Sequence, residues 1–259
     1  MFDFLQLVNN ENMKIYRRPR TWIMLGILLL MSLVIPLMAT LYGGGTSVSM
    51  WDLLLVQSAI GIMLATVYAV VIAAEMVAGE FSTGTIKLLM IRPWSRSKIL
   101  LSKYVALLLF ALFFVAVTFG WNILTSMLFF GYTDEPMGAS GIHPLNYWMQ
   151  YYLYEFLTLV ITVTLAFLIS TVFRSSGLAI GLSLFLLLGG GIVTGIIRML
   201  DYAWVDYLLF ANMALTDYLN SDVSTITGKP IGFTLAVLGG YYVAFLAITW
   251  SVFNKRDIA

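Results

Sequence analysis

Side chains able to do chemistry crowd into one stretch, Glu75 to Tyr104, which reads EMVAGEFSTGTIKLLMIRPWSRSKILLSKY. Glu75 and Glu80 come first, then Ser82, Thr83 and Thr85, then the cations Lys87, Arg92, Arg96, Lys98 and Lys103. Such a set makes ion pairs, caps short helices and presents a charged surface to a partner. It does not make a catalytic constellation. The one histidine, His143, lies far away, and neither H-E-x-x-H nor G-x-S-x-G occurs. With no cysteine there is no disulfide and no thiolate metal site.

Composition dictates where these groups sit. A soluble domain carries about 25% charged residues, whereas this chain has 10%, with 61% hydrophobic residues and a mean hydropathy of +0.93. Several apolar runs reach the roughly 20 residues needed to cross a hydrocarbon layer. Six spans are expected, at Thr21–Leu41, Leu53–Ala74, Tyr104–Phe130, Tyr152–Phe173, Gly177–Ile197 and Ile231–Phe253. Backbone in lipid must pair internally, and the runs are too long and uniformly apolar for barrel strands. The fold class is therefore an all-α polytopic membrane protein. The run from Thr21 follows a basic cluster but lacks a small-x-small cleavage site, so it reads as an uncleaved first helix. Pro36 is a candidate kink, the long third span is expected to tilt or bend near Gly120 to Asn122, and Gly189 to Gly191 allow close packing or unwinding.

Charge placement sets an orientation. With the N-terminus inside, 12 of the 14 lysines and arginines fall on the cytoplasmic side and only Arg198 and Lys229 outside. The positive-inside rule thus expects both termini in the cytoplasm. Phe4 to Tyr16 places Leu5, Val8, Asn12 and Ile15 at helical spacing, either as an interfacial helix or as a basic terminus that only obeys that rule. After Ser82 and Thr83 a short helix over Thr85 to Ile91 is expected, broken at Arg92-Pro93, with Ser95 or Ser97 starting the third span. That element is either a lever on a cytoplasmic partner or an ordinary loop on headgroups. Outside, Trp204 to Leu219 reads as an amphipathic helix or a re-entrant pair broken near Asn212. Glu75 pairs with Arg92, Arg96 or Lys98, or else snorkels, because a carboxylate deeper in lipid costs roughly 2.5–3.5 kcal/mol.

The chain resembles an ABC-2 type permease subunit of a bacterial ABC exporter. The resemblance rests on Asn10-Glu11-Asn12-Met13-Lys14-Ile15 with its following arginines, on the six spans, and on Gly79-Glu80-Phe81-Ser82-Thr83-Gly84-Thr85-Ile86-Lys87-Leu88-Leu89. It continues through Arg92-Pro93-Trp94-Ser95-Arg96 to Lys103-Tyr104. It implies an elbow helix over residues 1–20 and a transmembrane domain over 21–259. Within that domain it implies a coupling region at 76–98 and extracellular helices at 198–229. It also implies two separate ATPase subunits per complex and a second permease copy or a homologous permease. The setting implied is the bacterial cytoplasmic membrane and its lipids. Nucleic acid is not an expected partner. The chain has no phosphate-binding G-x-x-x-x-G-K-[ST], so it is not expected to be an enzyme; ATP and Mg belong to the partner.

On that resemblance Glu80, Thr83, Thr85, Lys87 and Arg92 form the ATPase-coupling surface, with Glu75 and Arg96 as an interfacial ion pair. Thr118, Asn122, Thr158 and Thr162 either line a translocation path or bond helices together. Glu155 is a further outer-mouth candidate. A mostly apolar path suits a hydrophobic or amphipathic substrate such as a lipid, drug or peptide antibiotic, in resistance or immunity. The alternatives are a secondary transporter or channel without an ATPase, and a membrane immunity or assembly factor.

Overall fold

Apolar runs become helices here because a spanning segment must satisfy its own backbone. The computed structural model describes residues 2–42, 49–86, 94–132, 141–199 and 202–255. Its helices are α1 (Phe2–Tyr16), α2 (Pro19–Tyr42), α3 (Met50–Met76), α4 (Ala78–Ser82), α5 (Arg96–Phe130), α6 (Pro144–Val172), α7 (Ser176–Arg198) and α8 (Ile231–Lys255). Six of these, α2, α3 and α5 to α8, are long and apolar enough to span a membrane. No strand is found among the described residues.

Observed helices overrun the expected spans mainly at two starts. α5 begins at Arg96, eight residues before Tyr104, with the Ser95 side chain capping it by accepting from the Lys98 amide at 3.4 Å. α6 begins at Pro144, where the His143 ring accepts from the Leu145 amide at 3.2 Å. The one histidine is thus a helix cap. α5 continues as one helix through Gly120 to Asn122. α6 and α7 are joined by a tight turn, with Ser175 capping α7. Past α7, the expected amphipathic helix is three 3-10 turns, Ala203–Tyr207, Leu209–Asn212 and Leu215–Leu219. Asn212 lies at the break by donating its amide to the Asp206 and Leu208 carbonyls at 2.8 and 2.9 Å.

α3 and α5 form the centre, packed on each other, on α2 and on α6. Their close approach is built on Gly61, where an added Cβ would meet the Thr118 methyl at 2.5 Å. Similarly, the Phe210 ring rests on Gly190 of α7, 2.4 Å from where a Cβ would stand. Close packing, not unwinding, is the use of that glycine run, and α7 is continuous through it.

A proline creates the main buried polar contact. Pro36 has no amide hydrogen, so the carbonyl of Ser32, four residues earlier, lacks its helical partner. Gln57 of α3 donates to that carbonyl at 2.8 Å and to the Thr125 hydroxyl at 3.1 Å, while Ser126 donates to the Gln57 carbonyl. Gln57 is completely buried. One side chain thereby ties α2, α3 and α5 together.

Candidate functional site

The end of the bundle that holds α1 gathers most of the described ion pairs. α1 is amphipathic, but its buried stripe is Leu7, Val8, Glu11 and Ile15, while Leu5 is exposed. The helix packs on α5, with the Tyr16 ring 5.6 Å from Phe113 and 6.1 Å from Phe110. Its last carbonyls are capped from α2: Thr21 donates to Ile15 at 2.6 Å and the Trp22 indole to Tyr16 at 2.9 Å. Pro19, opening α2, needs no amide partner there.

Glu11 is thereby carried inward to Lys103. The Lys103 ammonium, 1% exposed, sits 2.9 Å from Glu11 and 2.6 Å from Glu80. Lys14 closes the group from the solvent side, at 2.5 Å from Glu11 and 3.2 Å from Glu80. An ammonium in such a place is tolerated only when paired. Burial pushes the Glu11 carboxyl up, but the charges of Lys103 and Lys14 and their hydrogen bonds outweigh it, leaving Glu11 below its ordinary value of 4.5. Burial likewise pushes Lys14 down, and Glu11 and Glu80 more than reverse this, leaving it above 10.5.

α4 delivers Glu80 to this group. Its first amide, on Ala78, and that of Val77 both donate to the Ser170 hydroxyl of α6 at 3.0 Å. Its end is closed by Ser82 and Thr83, whose hydroxyls donate to the Gly79 carbonyl at 2.9 and 2.8 Å. Gly84, at φ +72°, then turns the chain in a conformation that favours glycine. Ser82 and Thr83 therefore close the end of α4. Thr83 and Thr85 share a hydroxyl hydrogen bond at 2.9 Å. Of the expected coupling residues, Glu80, Thr83 and Thr85 are brought together here. Lys87 and Arg92 lie outside the described residues, as does most of the Thr85–Ile91 helix.

The Glu75–Arg96 pair is corrected. Glu75 pairs with Arg20, at the start of α2, and, at 3.5 Å, with Arg18, from the turn between α1 and α2. Arg96 instead donates to the Asn254 carbonyl at the end of α8, at 3.0 Å. Arg18 and Arg20, carried to the end of α3 by the turn after α1 and the start of α2, occupy the Glu75 carboxylate. Between these two ion-pair groups lies a cavity of about 480 Å³, lined by Glu11, Lys14, Arg18, Arg20, Glu75, Glu80, Thr83 and Thr85 over Ile15, Ile72 and Met76.

The remaining path candidates have hydrogen-bond partners within the protein. Thr118 and Asn122 are buried on α5; Thr118 donates to the Phe114 carbonyl at 2.7 Å and packs on Gly61. Asn122 donates to the Tyr152 hydroxyl at 3.1 Å, which shares a 2.8 Å hydrogen bond with Ser58. Thr158 donates to the Tyr154 carbonyl at 3.1 Å and to Met213 at 3.2 Å; Thr162 donates to Thr158 at 2.9 Å. Asn122 thus joins α5 to α6 and Thr158 joins α6 to the 3-10 segment, while the Thr118 and Thr162 hydroxyls bond within their own helices. Glu155 stands half-buried on α6. Among the described residues no cluster of acids and histidine has metal-binding form. The Glu11–Lys103 contact was missed from sequence, although Lys103 directly precedes a long uncharged run.

A family described as "Protein of unknown function (DUF2705)" matches residues 21–259, nearly all of the chain beyond α1. The chain belongs to that family. It is also similar to two proteins of Bacillus subtilis (strain 168). One, "Uncharacterized protein YhcI", is 33% identical across 98% of this chain and 99% of its own length. The other, "Uncharacterized membrane protein YdbK", is 28% identical across 73% of this chain and 76% of its own. With six apolar spans and such a relative, the chain is a multi-pass membrane protein.

Proposed function

We propose that this chain is the non-catalytic permease subunit of an ABC exporter, moving a hydrophobic or amphipathic substrate with ATP hydrolysed by a separate subunit. The observation that carries the reading is the ionic junction. Lys103 at the base of a central span holds both α1, through Glu11, and α4, through Glu80. A push on the exposed turn at Thr83 to Thr85 is thereby transmitted to α5 and its neighbours through these ion pairs. Two ATPase subunits close on binding ATP and move this end of two paired permeases, which face the cytoplasm. The chain contributes the lever and the path; ATP and Mg reside on the partner. The apolar spans support that substrate class, as does the use of the Thr118, Thr158 and Thr162 hydroxyls and the Asn122 amide nitrogen in bonds to protein groups.

Co-purification tests the reading. Tagged protein from native membranes brings down a Walker-type ATPase, and Thr85→Arg weakens that attachment or uncouples hydrolysis from transport. Full function of the chain in reconstituted vesicles without any ATPase overturns it, and leaves a secondary transporter or channel.

A further inference from the structure

The cavity between α1, α3 and α4 is lined by equal numbers of cations and carboxylates, and Lys103, buried behind it and paired to two of those carboxylates, tips the balance. Its charged groups and their direct partners are four cations, Lys14, Arg18, Arg20 and Lys103, against three carboxylates, Glu11, Glu75 and Glu80. Among the described residues one positive charge is left over, and two buried polar atoms of the wall have no partner: the Arg20 Nε, a donor, and the Glu80 Oε2, an acceptor. Water in a cavity of this kind leaves the net charge uncompensated. A monoanion with its own hydroxyl donors compensates all three. The volume of about 480 Å³ lies in the range of small-molecule sites. Its floor, Ile15, Ile72 and Met76, is apolar. Just beyond Arg20, Trp22 and Ile23 stand exposed at the start of spanning helix α2, the level where an indole marks the membrane surface.

We infer that this cavity binds an anionic phosphodiester bearing hydroxyl groups, the chemistry of a phosphatidylglycerol headgroup. The phosphate lies against Arg18 and Arg20, a hydroxyl donates towards Glu80, and the apolar floor leads to the exposed flank of α2. A bidentate arginine suits phosphate better than a lysine does. The inference does not rest on the transport reading; it needs only that this end of the bundle lies at a membrane surface.

The full chain is reconstituted in phosphatidylcholine nanodiscs with and without phosphatidylglycerol, and lipid retained after detergent extraction is counted by native mass spectrometry. The expected result is phosphatidylglycerol retained in preference to phosphatidylcholine, with a higher unfolding temperature. Two variants probe the site. Arg18→Gln removes an exposed phosphate donor, and Gly79→Leu adds bulk at the wall, where a Cβ meets only the Glu75 Cγ at 3.5 Å. Arg18→Gln weakens retention about tenfold, the cost of one charge-assisted contact, and Gly79→Leu weakens it by filling the site, while helix content by circular dichroism is unchanged in both. Competition by soluble glycerophosphoglycerol assigns the site to the free phosphodiester as well as the lipid; failure to compete assigns it to the lipid. Equal retention of both lipids overturns the inference. So does unchanged phosphatidylglycerol retention in whichever variant folds.

Discussion

Lys103 is held by two carboxylates, and its removal separates a structural ion pair from an incidental one. Lys103→Met leaves Glu11 and Glu80 facing one another in a nearly closed site, with Lys14 as their remaining cation. Breaking one partner of a buried pair costs about 3–5 kcal/mol, so the variant unfolds at distinctly lower temperature in detergent. The triple change Lys103→Met, Glu11→Gln, Glu80→Gln recovers a large part of that loss, because no buried charge is left uncompensated. A thermal denaturation series in one detergent checks both outcomes; a triple variant no better than the single refutes the pairing. The same group predicts a pH response. Glu11 is held below 4.5, so its contribution is full above that value and is lost as pH falls through its lowered folded value. Lys14 is held above 10.5, so its contribution is full below that value and is lost as pH rises past its raised folded value. Stability is therefore flat across neutral pH and falls in acid. Glu11→Gln removes much of the acid-side slope, measured as unfolding temperature against pH. Sequence made the charges of this end visible but not their pairing. Glu11, Lys14, Glu75, Glu80 and Lys103 all stood in the stretches marked as significant, yet Glu75 took its partners from Arg18 and Arg20. The reason is geometric: which cation reaches an acid depends on where α1 folds back, and no local spacing records that.

Helix boundaries were legible where lipid imposes them and illegible where tertiary contacts do. All six spans follow directly from uninterrupted apolar runs, since no other backbone survives in hydrocarbon. The outer segment past α7 carries helical spacing, yet it forms 3-10 turns, because Asn212 takes the Asp206 and Leu208 carbonyls out of the reach of a regular helix. The Pro36–Gln57 contact is a pairing of the second kind: a proline in one helix explains a glutamine in the next. It also yields an element-scale prediction. Gln57→Leu leaves the Ser32 carbonyl and the Thr125 and Ser126 hydroxyls without this partner, at about 1–3 kcal/mol for an unsatisfied buried group. Pro36→Ala restores a helical amide to that same carbonyl. In a double-mutant cycle, Gln57→Leu therefore costs less on the Pro36→Ala background than on the native one. Additive effects of the two changes contradict the assignment of Gln57 to the proline-freed carbonyl. At the other break, Ser170→Ala strips the hydroxyl shared by Val77 and Ala78, and hydrogen exchange at those two amides rises while the centre of α3 stays protected.

For the whole molecule, burial is uneven in a way that fits an incomplete assembly. Within their most apolar windows, α5 and α6 are 61% and 56% buried, whereas α7 and α8 are 11% buried and α2 17%. α2, α7 and α8 therefore face lipid or another chain, and the pairing of two permeases in the proposed complex draws on these faces. Orientation decides whether the proposed engine can reach the molecule at all, and this chain is well suited to the measurement because it contains no cysteine. A single cysteine at Thr85, beside the ionic junction, is placed at the exposed turn after α4; a single cysteine at Tyr207 is placed in the exposed 3-10 segment at the opposite end. The positive-inside rule expects the junction end, with its excess of lysine and arginine, in the cytoplasm. A membrane-impermeant maleimide then labels Tyr207→Cys in intact cells and labels Thr85→Cys only after the membrane is opened. The reverse pattern places the junction outside, where no ATP-hydrolysing partner works, and removes the permease reading while leaving the six-span fold untouched.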